Sequence, residues 1–267
     1  MSLLSVVIVN YRSGEFLRDC LTALLNTSPS LDLEVFVINN DTTHDLAPVL
    51  NQEWSKVEFI QNKSNLGFAA GANIGFRKSH GEFVLVLNPD AIVQDQSVEI
   101  LVNTLRNNAD AGLALPLLKN PDGSLQYSCR RFYSYTTLVM RRAPFNRIFP
   151  AHAAVRNHLM LDWNHDSLTR VDWGLGAAML VRRSALQEPY LFDERFFLYF
   201  EDVDLCLRLR RRGWKVLYDP RARMIHHHRR ESARHLFHPS KRHHFLSLLK
   251  FLWKYRFRLP KSEELRA

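Results

Sequence analysis

The chain has 267 residues, 46% of them hydrophobic, which is enough for one large domain or one domain with an appendage. Its three cysteines, Cys20, Cys129 and Cys206, are far apart and form no Cys-x-x-Cys pair. This argues against a disulfide framework and a structural zinc site and favours a reducing compartment. The net charge is +9, and Leu205 to Arg258 holds 16 Lys/Arg against two acidic residues, so this basic quarter predicts an anionic partner: nucleotide, lipid diphosphate, membrane surface or nucleic acid.

The first predicted element is a strand over Ser5–Asn10, whose continuous β-branched run is typical of a parallel strand buried on both faces. The N-terminus lacks the basic segment and the cleavage site of a signal peptide, and its apolar run is too short to span a bilayer. Because no other stretch reaches the ~20 apolar residues of a membrane span, we expect a cytoplasmic protein that is soluble or peripheral to a membrane.

Further elements alternate between strand and helix along the chain. The apolar periodicity predicts a helix over Glu15–Leu25, strands over Glu34–Asn39 and Val57–Gln61, a helix over Gly67–Ser79, strands over Phe83–Asn88 and Gly176–Val181, and a final helix over Pro239–Phe257. This order predicts a doubly wound, mostly parallel α/β sheet flanked by helices, with ligands at the carboxyl ends of the strands. Residues 116–172 show little periodicity and are expected to hold acceptor-binding loops, or merely an irregular excursion.

Polar residues follow three of the predicted strands. Asn10, the pair Asn39 and Asn40, and the segment Asn88-Pro89-Asp90 all stand where a strand ends, which predicts a nucleotide site at this edge of the sheet. A carboxylate that a buried strand delivers to such an edge can bind a divalent cation, so Asp90 is the candidate metal ligand. The alternative is a purely structural turn, since Asn-Pro-Asp is common turn chemistry.

A second acidic cluster, Glu201-Asp202-Val203-Asp204, stands at the start of a predicted helix. A carboxylate in this position can act as a general base in a group transfer. The alternative is that these acids only stabilise the N-terminus of the helix, with Arg212 as their partner.

The segment Asn65–Gly75 spaces its glycines four residues apart. This pattern matches neither the dinucleotide-binding fingerprint nor the P-loop, so both types of phosphate cradle are disfavoured. Small residues here would let the backbone approach a ligand closely, while Asn65 and Asn73 offer amide groups. The alternative is a helix packed tightly on its sheet.

The ordered motifs of the chain resemble those of family 2 glycosyltransferases, in particular bacterial rhamnosyltransferase-like members. The segments that carry the resemblance are Ser5–Tyr11, Val37–Asn40, Asn65–Asn73, Leu87–Asp90, Trp173–Ala178 and Phe197–Arg208. The resemblance covers roughly residues 3–232 and implies a GT-A fold, an inverting mechanism, a nucleotide-diphosphate sugar donor and Mg²⁺ or Mn²⁺. We expect a catalytic domain over residues 1–232 (nucleotide-sugar half 1–115, acceptor half 116–232) and a basic helical tail over 233–267.

The resemblance also implies roles for individual residues. Asp202 matches the base that deprotonates the acceptor hydroxyl, Glu201 is a candidate acceptor contact, and Asp204 is expected to be structural. Asp90 matches the last aspartate of the metal-binding Asp-x-Asp. His226 matches a histidine that approaches the metal or the diphosphate, although a solvated basic run of histidines and arginines is the alternative.

On the acceptor side, Trp173 and Gly176 are expected to shape the site, because an indole face suits a sugar ring; a core tryptophan is the alternative. The residues expected to contact the donor lie in the first motifs: Val9, Asn10, Tyr11, Asn39, Asn40, Asp41, Asn65, Gly71, Asn73 and Asn88.

Two residues depart from the family pattern. Asn88 stands where many members have an aspartate, so a cation would depend on Asp90, waters and the donor diphosphate. Asn39 stands where relatives usually carry an aspartate that contacts the base or ribose. Asp41 is a candidate to compensate for it, and the base preference is expected to shift.

The C-terminal helix is expected to be basic and amphipathic. Its polar stripe is His243, Ser247, Lys250 and Lys254, and its apolar side carries Phe245, Leu248, Leu249, Leu252 and Trp253. Such a helix suits an anionic membrane surface; packing on the catalytic domain or on a second subunit is the alternative.

The sequence therefore favours an inverting glycosyltransferase, with L-rhamnose from dTDP-rhamnose as the donor sugar and a glycan or lipid-linked glycan as acceptor. Asn39 and Asn88 suggest as the alternative a catalytically weak or inactive relative that binds a nucleotide sugar or a glycan. A nucleic-acid-binding protein ranks lower, because the basic residues form no recognisable nucleic-acid-binding motif.

Overall fold

A computed structural model describes residues 4–28, 30–44, 46, 54, 57–142, 144–150, 152–227 and 239–260. The strands are β1 (Leu4–Asn10), β2 (Leu33–Asn39), β3 (Val57–Gln61), β4 (Phe83–Leu87), β5 (Ala91–Val93), β6 (Ala111–Lys119), β7 (Leu125–Gln126), β8 (Cys129–Arg130), β9 (Thr169–Val171), β10 (Trp173–Gly174), β11 (Ala178–Arg182) and β12 (Lys215–His226). The helices are α1 (Gly14–Thr27), α2 (Phe68–Lys78), α3 (Ser97–Asn107), α4 (Tyr135–Met140), α5 (Phe145–Ile148), α6 (Ala153–Leu159), α7 (Glu201–Arg211) and α8 (Pro239–Lys254).

The main sheet is mixed and mostly parallel, with the order β3-β2-β1-β4-β11-β6-β12-β5. Strands β3, β2, β1 and β4 run parallel, so the chain segments that follow them leave the sheet at one edge. Strand β11 enters antiparallel between β4 and β6. The α/β architecture predicted from the alternation of elements is confirmed.

Side chains of β1 alternate between two hydrophobic cores, one on each face of the sheet. Val7 and Val9 belong to one core, and Leu4, Val6 and Ile8 belong to the other. Burial on both faces is the reason that the strand is a continuous apolar run instead of an alternating one.

Helix α2 lies directly on β1. A Cβ on Gly75 would come within 2.6 Å of a Val7 methyl, and one on Gly71 within 2.9 Å of a Val9 methyl. The glycine spacing therefore serves close helix–sheet packing, which is the alternative that the sequence left open.

From residue 111 onward the chain contains strands that the periodicity did not predict. Strand β6 extends through residues 116–119, which were expected to be irregular. Strand β12 pairs parallel with β6 and antiparallel with β5, and its register shifts between Asp219 and Arg223. Strands β8 and β10 form a separate two-stranded sheet in which Arg130 lies opposite Trp173.

Several positive charges of the basic quarter form ion pairs within the fold. Arg208 and Arg212 both bind Glu188, Arg208 also binds Asp204, and Arg210 lies 3.5 Å from Asp172. These ion pairs reduce the positive charge that is available to a partner. Cys20, Cys129 and Cys206 are free and buried.

Helix α8 packs on the segment that precedes and begins α7, and its faces are reversed relative to the sequence prediction. All four residues of the predicted polar stripe contact this segment. His243 stacks on Phe197, the Ser247 hydroxyl donates to the Leu198 carbonyl (2.8 Å), and Lys250 donates to the Arg195 carbonyl (2.8 Å).

The fourth stripe residue, Lys254, reaches the carboxylates of Asp193 (2.7 Å) and Asp204 (2.6 Å). Of the predicted apolar side, Leu248 is buried, whereas Phe245, Leu249 and Trp253 are exposed. The helix is therefore part of the domain surface and not a separate appendage, although residues 233–238 and 261–267 of the predicted tail lie outside the described residues. Among the residues that the structure describes, no helix combines the length and the apolar character needed to cross a bilayer.

Candidate active site

A network of side-chain amides fixes the loop after β2. The Asn10 amide donates to the Asn39 oxygen (2.8 Å), and the Asn39 amide donates to the carbonyls of Asp41 (3.1 Å) and His44 (2.9 Å) and to the Gln61 oxygen (2.8 Å). Asn39 is fully buried, so its side chain anchors the loop.

Asp41 is the carboxylate that this loop presents. Its Oδ1 accepts hydrogen bonds from the Thr43 backbone (2.9 Å) and hydroxyl (2.6 Å), and its Oδ2 lies 3.3 Å from His44 Nδ1. Burial alone would raise the pKa of Asp41, but the bonds from Thr43 and His44 outweigh it and keep the pKa below its ordinary value. Asp41 is therefore ionised at neutral pH.

A cleft of about 670 Å³ opens at this point. Asn10 and Asp41 line it together with Arg12, Thr43 and His44. Its volume is typical of a small-molecule site. The predicted candidates Asn10 and Asp41 thus meet at one cleft, at the carboxyl ends of β1 and β2.

The fixed amide of Asn39 predicts the effect of restoring the aspartate of the family pattern. Asn39→Asp would direct one carboxylate oxygen at two carbonyl oxygens and the Gln61 oxygen, all of them acceptors, while the other oxygen keeps its bonds from Asn10 and the Asp41 backbone. We expect it to destabilise the fold by about 3 kcal/mol, the cost of burying an unsatisfied charged group. Chemical denaturation measures this, with Asn103→Asp on the exposed face of α3 as the control expected within 0.5 kcal/mol.

The next donor candidates are mostly buried and already bonded. Asn40 donates to the Gly67 carbonyl (2.9 Å), and the Asn65 oxygen accepts from the Gly67 backbone (3.0 Å), which shapes the turn into α2. Asn73 is 0% exposed, and its side-chain amide donates to the Phe192 carbonyl and the Glu194 carboxylate. These contacts support structural roles for Asn73 and, together with the close packing on Val9, for Gly71.

Three further donor candidates differ in exposure. Val9 is buried in the core, so only its backbone faces the strand end. Tyr11 is 44% exposed, with the Arg12 guanidinium 5.3 Å from its ring centre. Asn88 is half-buried, and its backbone N–H donates to the Ala177 carbonyl (2.8 Å), which ties the end of β4 to β11.

Asp90 and His226 come together because β5 pairs with the end of β12. Asp90 Oδ1 lies 3.3 Å from His226 Nε2. The other ring nitrogen, Nδ1, lies 2.7 Å from Gln126 Oε1, and the Gln126 amide donates to Asn120 (3.0 Å). Since the Gln126 oxygen must accept, Nδ1 carries the proton and, in the neutral ring, the lone pair of Nε2 faces the Asp90 carboxylate.

This arrangement fits a divalent cation. A carboxylate and an imidazole lone pair converge on one point, and a hydrogen bond to the other ring nitrogen fixes the tautomer, as is usual for metal-binding histidines. No cluster of three or more His, Cys, Asp or Glu side chains suited to a metal occurs within the described residues. Asp90 and His226 would therefore hold a cation jointly with oxygens of a bound diphosphate. The basic run after His226 continues outside the described residues.

Asp202 lies at the start of α7, where the chain is held by contacts on both sides. Its Oδ1 accepts from the Val203 backbone (2.8 Å) and its Oδ2 from the Gly176 backbone (3.2 Å). The two residues before the helix, Tyr199 and Phe200, have φ of 69° and 70°, a strained conformation that is common next to functional groups.

Burial raises the pKa of Asp202 to about 6, against the opposing effect of the two backbone N–H groups and of Arg130. The residue is 9% exposed, so it is largely but not completely shielded from solvent. A carboxylate with this pKa is ionised at pH 7 yet basic enough to accept a proton, which is the combination that general-base catalysis requires.

The neighbouring acids have different environments. Burial, and then the charge of Asp202, raises the pKa of Glu201 well above its ordinary value. Asp204 is fully buried and binds Arg208, Lys254 and the Tyr255 hydroxyl (2.7 Å), which confirms its structural role. Arg212 pairs with Glu188, which does not support the alternative in which Arg212 is the partner of these acids.

The acceptor candidates split into two kinds. Gly176 is half-buried and uses its N–H to hold Asp202. Trp173 is 3% exposed and donates its indole N–H to the Arg131 carbonyl (3.0 Å), within a stack that includes Tyr133. These contacts support the core alternative for Trp173.

Sequence reasoning missed the positive charge beside Asp202. Arg130 is placed there because β8 pairs with β10, and its guanidinium lies 5.4 Å from the Trp173 ring centre. Arginines were visible in the irregular segment, but no pattern related them to the catalytic helix. The relation arises from the pairing of β8 with β10, strands that are more than 40 residues apart in the sequence.

Comparison with known proteins identifies relatives across most of the chain. A family model described as glycosyltransferase like family 2 matches residues 2–244. The N-acetylglucosaminyl-diphospho-decaprenol L-rhamnosyltransferase of Mycobacterium tuberculosis is 31% identical over 244 residues, 86% of this chain and 78% of that protein. Rhamnosyltransferase WbbL of Escherichia coli K12 is 24% identical over 255 residues, 92% of this chain and 91% of that protein.

A crystal structure of GalNAc-T7 with UDP, GalNAc and Mn²⁺ has the same GT-A architecture. It superposes with a TM-score of 0.63 at 16% identity and covers 85% of this chain and 43% of that chain. At this identity the likeness concerns the fold alone.

Proposed function

This chain belongs to glycosyltransferase family 2 and has the GT-A fold, and on that basis we propose that it is an inverting enzyme that transfers L-rhamnose from dTDP-rhamnose. The acceptor is a hydroxyl of a glycan or lipid-linked glycan in the assembly of a bacterial surface polysaccharide. The observation that carries this proposal is the environment of Asp202, a buried carboxylate with a pKa raised to about 6 at the carboxyl edge of the sheet. The relatives' names support rhamnose as the sugar.

Asp202 performs the proton transfer in this mechanism. Its carboxylate accepts the proton of the acceptor hydroxyl as that oxygen forms a bond to the anomeric carbon and the bond to the diphosphate breaks. The hydrogen bonds from Gly176 and Val203 fix the orientation of the carboxylate before substrate binds. Attack from the side opposite the leaving group inverts the anomeric configuration.

The donor is bound by the first half of the sheet. Asn10 and Asp41 face the cleft that suits the nucleoside, and Asp90 and His226 face the position of the diphosphate. Mg²⁺ or Mn²⁺ bound there would neutralise the charge that develops on the leaving diphosphate. Gln126 keeps the His226 ring in the tautomer that such binding needs.

A thermal-shift panel tests the donor assignment. We expect dTDP and dTDP-rhamnose, with Mg²⁺ or Mn²⁺, to raise the melting temperature more than UDP, GDP or their sugars do, because only a ligand that binds the folded state stabilises it. Asp41→Ala should abolish the shift, while Asp32→Asn at the opposite end of β2 should retain it. Equal shifts for all bases would reject dTDP-rhamnose as the donor.

We further propose that the outer face of α8 docks on an anionic membrane. Trp253 is 75% exposed, Phe245 50% and Leu249 43%, one turn apart along one side of the helix. Two further apolar side chains are exposed at the end of α5, Ile148 (60%) and Phe149 (49%), in the segment that follows Arg142, which contacts Phe245. The sequence holds no acid between Pro239 and Arg258, so the charge of the patch suits anionic lipids.

Vesicle sedimentation tests this surface. We expect the protein to bind vesicles of phosphatidylglycerol and phosphatidylcholine at low salt, and the triple variant Phe245→Ser, Leu249→Ser, Trp253→Ser to bind at least tenfold more weakly. A triple variant on the exposed polar side of α3, Asn103→Ser, Arg106→Ser, Asn107→Ser, is the control and should bind as the wild type does. Equal binding of wild type and the α8 variant would contradict the proposal.

A further inference from the structure

Three arginines near the catalytic base, two of them half-buried and one exposed, have no carboxylate of the described residues within ion-pair distance. Arg208, Arg210 and Arg212 of the same domain are all paired with acids. Within the described part of the chain, Arg130, Arg141 and Arg142 form no ion pair, and Arg130 Nε is buried without a hydrogen-bond partner. Asp202 attracts Arg130 without a direct contact and offsets only part of the charge of the three arginines. The cluster keeps a net positive charge, which suits an anionic ligand.

The three arginines form a path that leads away from Asp202. Arg130 is the nearest and acts electrostatically on the Asp202 carboxylate. Arg141 follows, with its guanidinium 2.8 Å from His158 Nε2. Arg142 is the outermost and lies 5.7 Å over the ring of Phe245, which belongs to the exposed apolar face of α8.

Ring contacts bring Arg130 and Arg141 near each other, because the Trp173 ring lies 5.4 Å from the Arg130 guanidinium and 6.0 Å from the His158 ring, which Arg141 contacts. Burial, and then the charges of Arg130 and Arg141, lowers the pKa of His158 to about 2. Burial, and then the charges of all three arginines, lowers the pKa of His244 to about 4. Both histidines are therefore neutral at pH 7, and the positive charge of the cluster belongs to the arginines.

Arg130 keeps its charge in this setting. Burial, together with repulsion from Arg141, lowers its pKa to about 10, which leaves it protonated at neutral pH. A ligand with more than one negative charge is needed to balance the cluster. Arginine is suited to this role because its planar guanidinium binds phosphate oxygens in a bidentate manner.

We propose that Arg130, Arg141 and Arg142 bind the diphosphate of a lipid-linked acceptor. The acceptor sugar then lies toward Asp202, and the lipid chain lies on the apolar face around Phe245. This assignment rests on the proposed transferase function and adds the residues that recognise the acceptor. It also explains why the cluster stands between a buried base and an exposed apolar surface.

Calorimetric titration with farnesyl diphosphate tests the cluster without any nucleotide sugar. With EDTA present, we expect the wild-type protein to bind the probe and Arg141→Gln to bind it at least tenfold more weakly, because a charge-assisted hydrogen bond is lost. Arg142→Gln, at an exposed position that the fold does not need, should weaken binding several-fold. The matched control is Arg156→Gln, whose charge is already paired with Asp162, and it should bind as the wild type does.

Two further probes separate the parts of the ligand. Farnesol should not bind measurably, and pyrophosphate should bind more weakly than farnesyl diphosphate. Unchanged affinity in both Arg141→Gln and Arg142→Gln, or equal binding of farnesol, would overturn the proposal. Pyrophosphate binding as tight as that of farnesyl diphosphate would overturn the assignment to a lipid-linked acceptor. The transferase function itself fails separately, by the absence of nucleotide-sugar binding in the thermal-shift panel.

Discussion

Replacing Asp202 by asparagine is expected to reduce sugar transfer by about 10³-fold or more. Asparagine cannot accept the proton of the acceptor hydroxyl, and a positioned general base contributes typically 10²–10⁴-fold to the rate. Its side-chain oxygen can still accept a hydrogen bond from Gly176 or Val203. Donor binding and the melting temperature should therefore stay close to those of the wild type, which separates the loss of chemistry from a loss of fold.

The pH profile gives an independent readout of the same group. Because the pKa of Asp202 is raised to about 6 and only its ionised form is active, kcat/KM should fall about tenfold per pH unit below 6 and level off above it. The control is Asp32→Asn, which removes an exposed carboxylate at the amino end of β2 and should leave the rate of transfer and its pH profile unchanged. Retained turnover in Asp202→Asn would remove Asp202 from its role.

The second large effect is expected at the metal-binding pair. Asp90→Asn removes the carboxylate that faces His226, and we expect at least a 100-fold loss of transfer together with loss of the metal-dependent part of donor binding. EDTA should inactivate the wild type to a similar extent. Measurement of Mn²⁺ affinity with bound nucleotide, by electron paramagnetic resonance, reports the effect without relying on activity.

A substitution at Gln126 tests the metal site with a smaller expected loss of metal affinity. Gln126→Leu leaves both candidate ligands in place but removes the acceptor that fixes the His226 tautomer. Metal affinity should fall by 10- to 100-fold, as is typical when such a supporting bond is lost. Transfer that is insensitive to EDTA and to Asp90→Asn would contradict the metal assignment.

The first half of the fold was predictable because its signals are local. Strands β1 and β2 are buried on both faces, so their β-branched runs stand out in the sequence. Strand β12 was missed because Lys215, Pro220 and Arg221 interrupt its apolar pattern and a register shift follows Asp219. Its place between β6 and β5 arises from long-range strand pairing, which sequence periodicity does not show.

The C-terminal helix illustrates the same limit at the level of side chains. Lys254 looks like a solvent-facing residue of a polar stripe, yet it binds two buried carboxylates, Asp193 and Asp204, that are distant in sequence. Periodicity identifies the helix but cannot show which face meets charged partners in the interior. The exposure of Trp253 follows from that reversal.

The candidate site divides along similar lines. Asp90, His226 and Asp202 were assigned from motifs, and the structure brings Asp90 and His226 within 3.3 Å of each other. Gln126 and Arg130 could not be assigned from the sequence. Gln126 reaches His226 because β7 pairs with β6 and β6 pairs with the distant β12, and Arg130 reaches the site because β8 pairs with the distant β10.

The most direct test of the account is the anomeric configuration of the transfer product. The protein would be incubated with dTDP-rhamnose, Mg²⁺ and a prenyl-diphosphate-linked N-acetylglucosamine, and the product examined by NMR spectroscopy. We predict a rhamnosylated product whose anomeric configuration is opposite to that of the donor, and none with Asp202→Asn. A product that retains the donor configuration would contradict direct displacement with Asp202 as the base.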